Sequence, residues 1–427
     1  MVQPLRLTIV VISFLCCLLP TARAENWPSF RGPTGMGISQ EKDLPLTWNG
    51  SDGSNVLWKS PLPGTTLEAK PDHNQSSPII WQDRVYVTTA FWPKDRKSDE
   101  QPEHRLTCYR LNDGEQLWDT PIPAGPWKLS DLRGGYCAPT PVTDGERVYV
   151  IFGSSMLAAV DFSGKLVWNQ ELADYQAFDV AIASSPILHR GQLLVLADRN
   201  QKKSTLTAYE PATGKVLWES KRTGAFTHTT PVVIEAAGKT QLLVTASNEL
   251  QSLDPTNGDK LWWCKTPGDV TSPVFANGLI YTDSGRGGPG ILVAADGAGD
   301  VAATHVKWKL DQIPEGLSSP AIFGGHLYRL HNPGVLKCVD LATGEVAYAE
   351  RLNGVSVSSS PIVTPDGKLF FASAGKTFVV QNGPKFELLA TNDLGDASAS
   401  SAAVSAGKMI FKGKKHLICV GKSAAER

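Results

Sequence analysis

The sequence predicts an all-β fold, an eight-bladed β-propeller of four-stranded antiparallel blades in which an N-terminal strand pairs with the last blade. Three observations predict it. A glycine turn followed by an aromatic strand residue recurs as NDGEQLW (112–118), FSGKLVW (162–168), PATGKVLW (211–218), PTNGDKLW (255–262) and LATGEVAY (341–348). A second phrase, usually two hydroxyl residues and a proline, recurs at 76–78, 139–141, 184–186, 229–231, 271–273, 318–320 and 359–361, with a degenerate eighth copy at Ser401–Ala403. The two ends of the array are complementary: residues 398–421 hold three strand signals, and Asn55–Lys59 reads as a tryptophan strand with no unit before it. A period of roughly 40–50 residues with strand and turn signals marks a propeller or solenoid.

The elements follow in chain order. Arg6, the apolar run Leu7–Leu19, the breaker Pro20 and the Ala22–Ala24 cleavage signal make residues 1–24 a secretory signal peptide. The apolar run is shorter than the ~20 residues a spanning helix needs. Cys16 and Cys17 lack the small preceding residues of a lipobox, so export with cleavage near Ala24, into the periplasm or outside the cell, is expected rather than lipidation. Residues 25–54 are rich in proline and glycine but carry Trp27, Phe30 and Trp48, too apolar for a free linker; they are expected to pack on a face or rim of the ring.

Each unit within 55–421 then repeats one plan. Proline at a strand start removes no ladder bond. A short apolar strand follows, then a turn such as Gln82–Asp83 or Asn277–Gly278, then a second strand such as Val85–Thr88 or Leu193–Leu196. A third strand such as Ser204–Tyr209 leads through the glycine turn into the aromatic strand. One such unit cannot bury its faces alone, but a ring of them can. No stretch sustains a 3.6-residue period, so little helix is expected. Closure through the termini removes exposed strand edges. Seven blades is the alternative if 398–421 is only a tail; residues 422–427 are a C-terminal tail in either case.

Composition excludes several functions. Lys and Arg number 41 and Asp and Glu 42, so there is no basic field for nucleic acid. No later segment has 18 uninterrupted apolar residues, so no membrane span is expected. The five cysteines beyond the leader, Cys108, Cys137, Cys264, Cys338 and Cys419, are an odd number without a C-x-x-C pair. Three of them, Cys108, Cys338 and Cys419, hold equivalent places in different repeats and read as buried small hydrophobes. There is no G-x-S-x-G elbow and no H-E-x-x-H, and the eight histidines show no metal-ligand spacing. The glycine-rich stretch Gly285–Gly290 lies between strands rather than before a helix, which a phosphate loop requires.

The phrases AYEPATGKVLW (208–218) and CVDLATGEVAY (338–348) resemble the tryptophan-docking motif of the pyrroloquinoline-quinone-like repeat superfamily, and the resemblance runs over roughly 55–421. That superfamily holds quinoprotein dehydrogenases and also the non-enzymatic outer-membrane assembly protein BamB. The resemblance implies that Trp58, Trp118, Trp168, Trp218, Trp262, Trp308 and Tyr348 dock blades together rather than do chemistry. In the alcohol-oxidising members the resemblance further implies an adjacent disulfide over the quinone and a Glu, Asn and Asp set on calcium. Here the only adjacent cysteines are Cys16 and Cys17, and no carboxylate set matches those ligands. The expectation is therefore a BamB-like binding scaffold without catalytic residues, metal or cofactor. The alternative is a dehydrogenase using pyrroloquinoline quinone with calcium.

In four-stranded blades the second-to-third-strand loops and the interblade linkers share one face. The long loop Ala90–His104 and the linker Asp119–Tyr136 bring Trp92, Trp127, Arg133 and Tyr136 to that face, and Asp179, Arg286, His331 and Asn332 fall on it in later blades. Aromatic and Arg residues are enriched at interfaces. They are the candidate binding surface, for a protein or peptide of the cell envelope, with the chain itself a monomer.

Overall fold

A computed structural model describes residues 24–42, 44–66, 68–96, 100–130, 132, 134–172, 183–197, 204–222, 227–246, 248–352, 359–397 and 400–423. All of the proposed leader but Ala24, together with Arg133 and Asp179, therefore lies outside the described residues. Within them there are strands and no helix.

The strands form eight sheets, one per blade. Blade 2 shows the plan: Val142–Thr143, Arg147–Phe152, Met156–Asp161 and Leu166–Glu171 pair in order from the axis outward. The apolar second and third strands are buried, while the fourth alternates between half-buried and exposed positions. That is what a strand with one face on the next blade and one in water should show. Blade 8 consists of Ala403–Ser405, Lys408–Lys412 and His416–Gly421, and its outer strand is Val56–Pro61. Trp58 stands opposite Cys419 in that pairing, so the ring closes through its N-terminal strand.

The hydroxyl phrase makes a belt. The second residue of each copy donates its N–H to the hydroxyl of the next: Ser77 to Thr140 (2.9 Å), Thr140 to Ser185 (3.0 Å), Ser185 to Thr230 (3.1 Å) and Thr230 to Ser272 (3.0 Å). Ser272 continues to Ser319 (3.1 Å), Ser319 to Ser360 (3.1 Å), Ser360 to Ser401 (2.8 Å), and Ser401 returns to Ser77 (3.1 Å). The first residue of a copy ties down its own blade: the hydroxyls of Thr229, Thr271 and Ser400 donate to the carbonyls of Thr245, Asp283 and Lys412. The belt corrects the eighth copy by one residue. Ser401 occupies the second position, so the copy is Ser400–Ala402, with Ala402 in the place of proline.

The tryptophans close the outer layer. Gly114 has φ +74°, and a Cβ there would lie 2.5 Å from the Trp58 ring. Trp58 rests on that turn and donates its indole N–H to Leu111 O (3.0 Å). Trp118 repeats this on Phe162 O (3.1 Å), Trp168 on Pro211 O (2.9 Å) and Trp308 on Leu341 O (2.9 Å), each over the next blade's glycine. Trp218 lies beside Gly258 but donates to Gln192 Oε1 (2.9 Å). Trp262 departs from the pattern. Blade 5 has a longer insertion in place of the short turn, and Gly299–Asp300 from it pairs in parallel with Trp262 and Trp263. The Trp262 indole turns to Gln241 Oε1 (2.8 Å) within its own blade. Tyr348 packs edge-on against Phe386, 5.5 Å between centroids.

Blade 7 has no such aromatic: Ala390, opposite Val379, stands in the register position of the tryptophans. Trp48 of the N-terminal segment fills this layer. It stacks on Phe370 of blade 7 (6.4 Å) and contacts Phe411 of blade 8 (5.7 Å), 3% exposed. The rest of the segment straps the face of the first-to-second-strand turns. Trp27 pairs with Ile80 of blade 1, Pro28 O accepts from Thr143 N of blade 2, and Phe275 N of blade 5 donates to Met36 Sδ. Arg31 Nη2 donates to Pro320 O of blade 6 (2.6 Å), Ser39 N to Val363 O of blade 7 (2.9 Å), and Glu41 accepts from Ala406 N of blade 8 (2.8 Å).

Candidate functional site

The opposite face carries the second-to-third-strand loops and a cleft of about 520 Å³ between blades 7, 8 and 1. Its walls come from the crossover 70–75, Trp92, Leu132, Ala374, Ala397 and the turn 412–414. The crossover is held by backbone bonds, Asp72 N to Ala90 O (3.0 Å) and Ser76 N to Cys137 O (2.8 Å). Its strand Ala69–Pro71 places Lys70 opposite Trp92, with Nζ 5.6 Å from the ring centroid. The Asp72 carboxylate accepts the Tyr136 N–H through Oδ2, while its buried Oδ1 has no hydrogen-bond partner among the described residues. Burial pushes the Asp72 carboxyl up.

Lys412 forms the floor. It ends the second strand of blade 8 and is 1% exposed. Its Nζ donates to Ser76 Oγ (2.6 Å) and Thr88 O (3.2 Å). Desolvation pulls its amine down to about 7. Sequence reasoning missed this residue. The signal is visible once blades are aligned: the same register position holds Thr88, Leu330 and Ala372 in blades 1, 6 and 7. Blade 5 also holds a charge there, Asp283, so a charged residue is the departure from the hydroxyl or apolar side chains of the other blades.

The predicted surface residues divide in two. Trp92 and Tyr136 come together, but as core: each is 2% exposed. The Trp92 indole donates to Glu100 O (2.6 Å) and its ring meets Tyr136 edge-on (6.1 Å). Tyr136 packs on His104, which stacks on Phe152 at 4.5 Å. The segment Ala90–His104 is not a free loop, because Ala90 and Phe91 continue the ladder opposite His104 and Glu103. Trp92 therefore walls the cleft rather than projecting as an anchor. Trp127 is half-buried, its N–H on Ser154 O (3.1 Å).

Arg286, His331 and Asn332 lie in blades 5 and 6, across the ring, and do not meet the first group. Arg286 is exposed and pairs with Asp269. His331 is 5% exposed and lowered by burial, and Asn332 N donates to Glu315 O (2.6 Å). Beneath them Asp283 and Arg329 form a buried bidentate pair (2.8 and 3.0 Å). Arg329 also donates to the carbonyls of Gly316, Ser318 and Leu330, so this pair is fully engaged. Such a network fixes the blade 5–6 mouth.

The family described as outer membrane protein assembly factor BamB matches residues 102–350. The chain belongs to this PQQ-like repeat propeller family. BamB from Moraxella catarrhalis superposes with a TM-score of 0.59 at 12% identity, covering 86% of this chain and 99% of that one. A europium-containing methanol dehydrogenase superposes at 0.69 and 12% identity, covering 93% and 89%. A quinohemoprotein alcohol dehydrogenase from Comamonas testosteroni does so at 0.52 and 12%, covering 93% and 81%. At these identities the likeness shows the fold alone. No curated protein sequence matches the chain.

In a PQQ-like propeller that carried the quinone, a calcium ion would accompany it. Calcium takes six to eight oxygen ligands. Among the described residues no three His, Cys, Asp or Glu side chains converge as a metal set. Asp72 is held by the Tyr136 amide and Asp283 by Arg329. The five described cysteines are buried and form no disulfide among the described residues. The residues described do not fit a calcium–quinone centre.

Proposed function

We propose that this PQQ-like propeller is an exported, non-enzymatic binding scaffold of the cell envelope, similar in role to BamB. The donor set at the loop face carries the reading. Among its described lining residues the cleft joins ammonium groups, the His73 imidazole, amide side chains and an aromatic wall to a single carboxylate, Asp72, a donor set suited to recognition. The BamB-described family match supports it. No helix of the described residues is long and apolar enough to cross a membrane. The test is affinity capture from envelope extract, paired with dye-reduction assays on alcohols and sugars with added pyrroloquinoline quinone and calcium. The scaffold reading expects a saturably captured protein and no reduction dependent on both additives. Reduction that requires both, with no captured protein, overturns it.

A further inference from the structure

We infer that the cleft between blades 7, 8 and 1 binds an acidic peptide segment. The inference takes the peptide class from the scaffold reading and the charge from the cleft itself. Among the described lining residues Lys70, Lys412 and Lys414 face one carboxylate, Asp72. Lys70 and Lys414 are exposed at the rim, and Lys412 is the buried floor. The exposed ammonium groups of Lys70 and Lys414 gain from an anion brought between them, because Coulomb attraction grows as water is excluded from the cleft. Asp72 Oδ1 adds the complementary requirement. Among the described residues it is a buried acceptor without a hydrogen-bond partner, and an unpaired buried acceptor favours a donor brought to it. A peptide supplies both needs: carboxylates for the lysines and a backbone N–H for Asp72.

The shape suits an extended segment. The cleft runs from the turn 412–414 along the crossover 70–75 to Trp92 and Leu132, so it crosses two blade junctions. The Trp92 ring, with Lys70 over it, offers an apolar wall beside the charges. The backbone of the crossover is already hydrogen-bonded to blades 1 and 2, so the wall is formed before any ligand arrives. Preorganisation of this kind lowers the ordering cost of binding.

The experiment uses the full chain and three labelled decapeptides of matched length, rich in Glu, Gln or Lys, read by fluorescence polarisation at low salt. The Glu peptide is expected to bind at least about tenfold tighter than the Gln peptide, and the Lys peptide more weakly than either. The rim variant K70E/K414E, which touches only exposed side chains, is expected to lose that tenfold preference with an unchanged melting temperature. Equal binding of Glu and Gln peptides, or a preference that survives K70E/K414E, overturns the inference. So does equal displacement by inorganic polyphosphate, which would mark a generic anion surface. Envelope capture separates the two readings. Partners captured without any Glu-peptide preference sink the acidic-peptide assignment and leave the scaffold reading standing. A Glu-peptide preference with nothing captured does the reverse.

Discussion

Lys412 is a charge that the fold holds away from water, and its titration is readable in stability. Its folded value is about 7 against 10.5 for the free side chain, so between these values the unfolded chain binds more protons. Stability therefore rises with pH through that window. The buried thiols oppose it from about pH 9 upward: burial pushes Cys108 from 9.0 up to about 12, so there the folded state keeps a proton that the unfolded state loses. The net expectation is a rising limb between about pH 7 and 9 that turns over above it. Urea unfolding of wild type and Lys412→Met at pH 7, 8 and 9 checks this. The slope is the readout, because the variant also strips Ser76 Oγ and Thr88 O of a donor. An equal slope in both proteins would mean that the amine is hydrated.

At the scale of the element, the hydroxyl phrase does more than start a strand. Its second residue is at once a backbone donor to one neighbour and a side-chain acceptor from the other, so each blade is hydrogen-bonded to two others at the axis. Ser319→Ala leaves the buried Ser272 N–H without its acceptor and should cost about 1–3 kcal/mol in chemical unfolding. A loss below about 0.5 kcal/mol would show that water replaces the hydroxyl and that the belt adds no stability. The blade count, the closing strand and most docking aromatics were legible because each is written in a local phrase with a fixed period. The eighth hydroxyl copy was misread by one residue because Ala402 replaces the proline that marks the register. Trp262 departed because the insertion before Val306 changes its partner, which no feature of the tryptophan strand itself reports. The cleft was the least legible part. Its floor, Lys412, and its walls, Asp72 and Trp92, come from three distant stretches and meet only through the closure of blade 8 on blade 1. Trp92 looked like an exposed anchor because a loop with nearby charges suggests solvent. The ladder beyond Ala90 and the aromatic stack on Tyr136 bury it instead.

For the whole molecule, the N-terminal segment is the part whose removal tests the architecture. It contacts blades 1, 2, 5, 6, 7 and 8 on the turn face and inserts Trp48 where blade 7 offers only Ala390. Three variants grade its contribution. Trp48→Ala removes one buried aromatic from the blade 7–8 junction and should cost about 3–5 kcal/mol. Deleting 25–54 removes that ring and the strap together but leaves the outer strand Val56–Pro61 in place, so the fall in melting temperature should be larger while the ring stays closed. Deleting 25–59 also takes most of that strand, including Trp58, and strips the ladder from His416–Gly421. A cut edge leaves unpaired backbone donors and acceptors, and a ring with a cut edge exposes a template for aggregation. The order of melting temperatures should therefore run wild type, Trp48→Ala, the 25–54 deletion, then the 25–59 deletion. Amide exchange locates the cause: protection of Cys419 and Gly421 should survive the first two changes and collapse only in the last, because Cys419 stands opposite Trp58 and Gly421 N donates to Asn55 O (3.0 Å). Protection there that persists without residues 25–59 would mean the blade is stable with three strands, and that closure through the N-terminal strand does not hold the ring together.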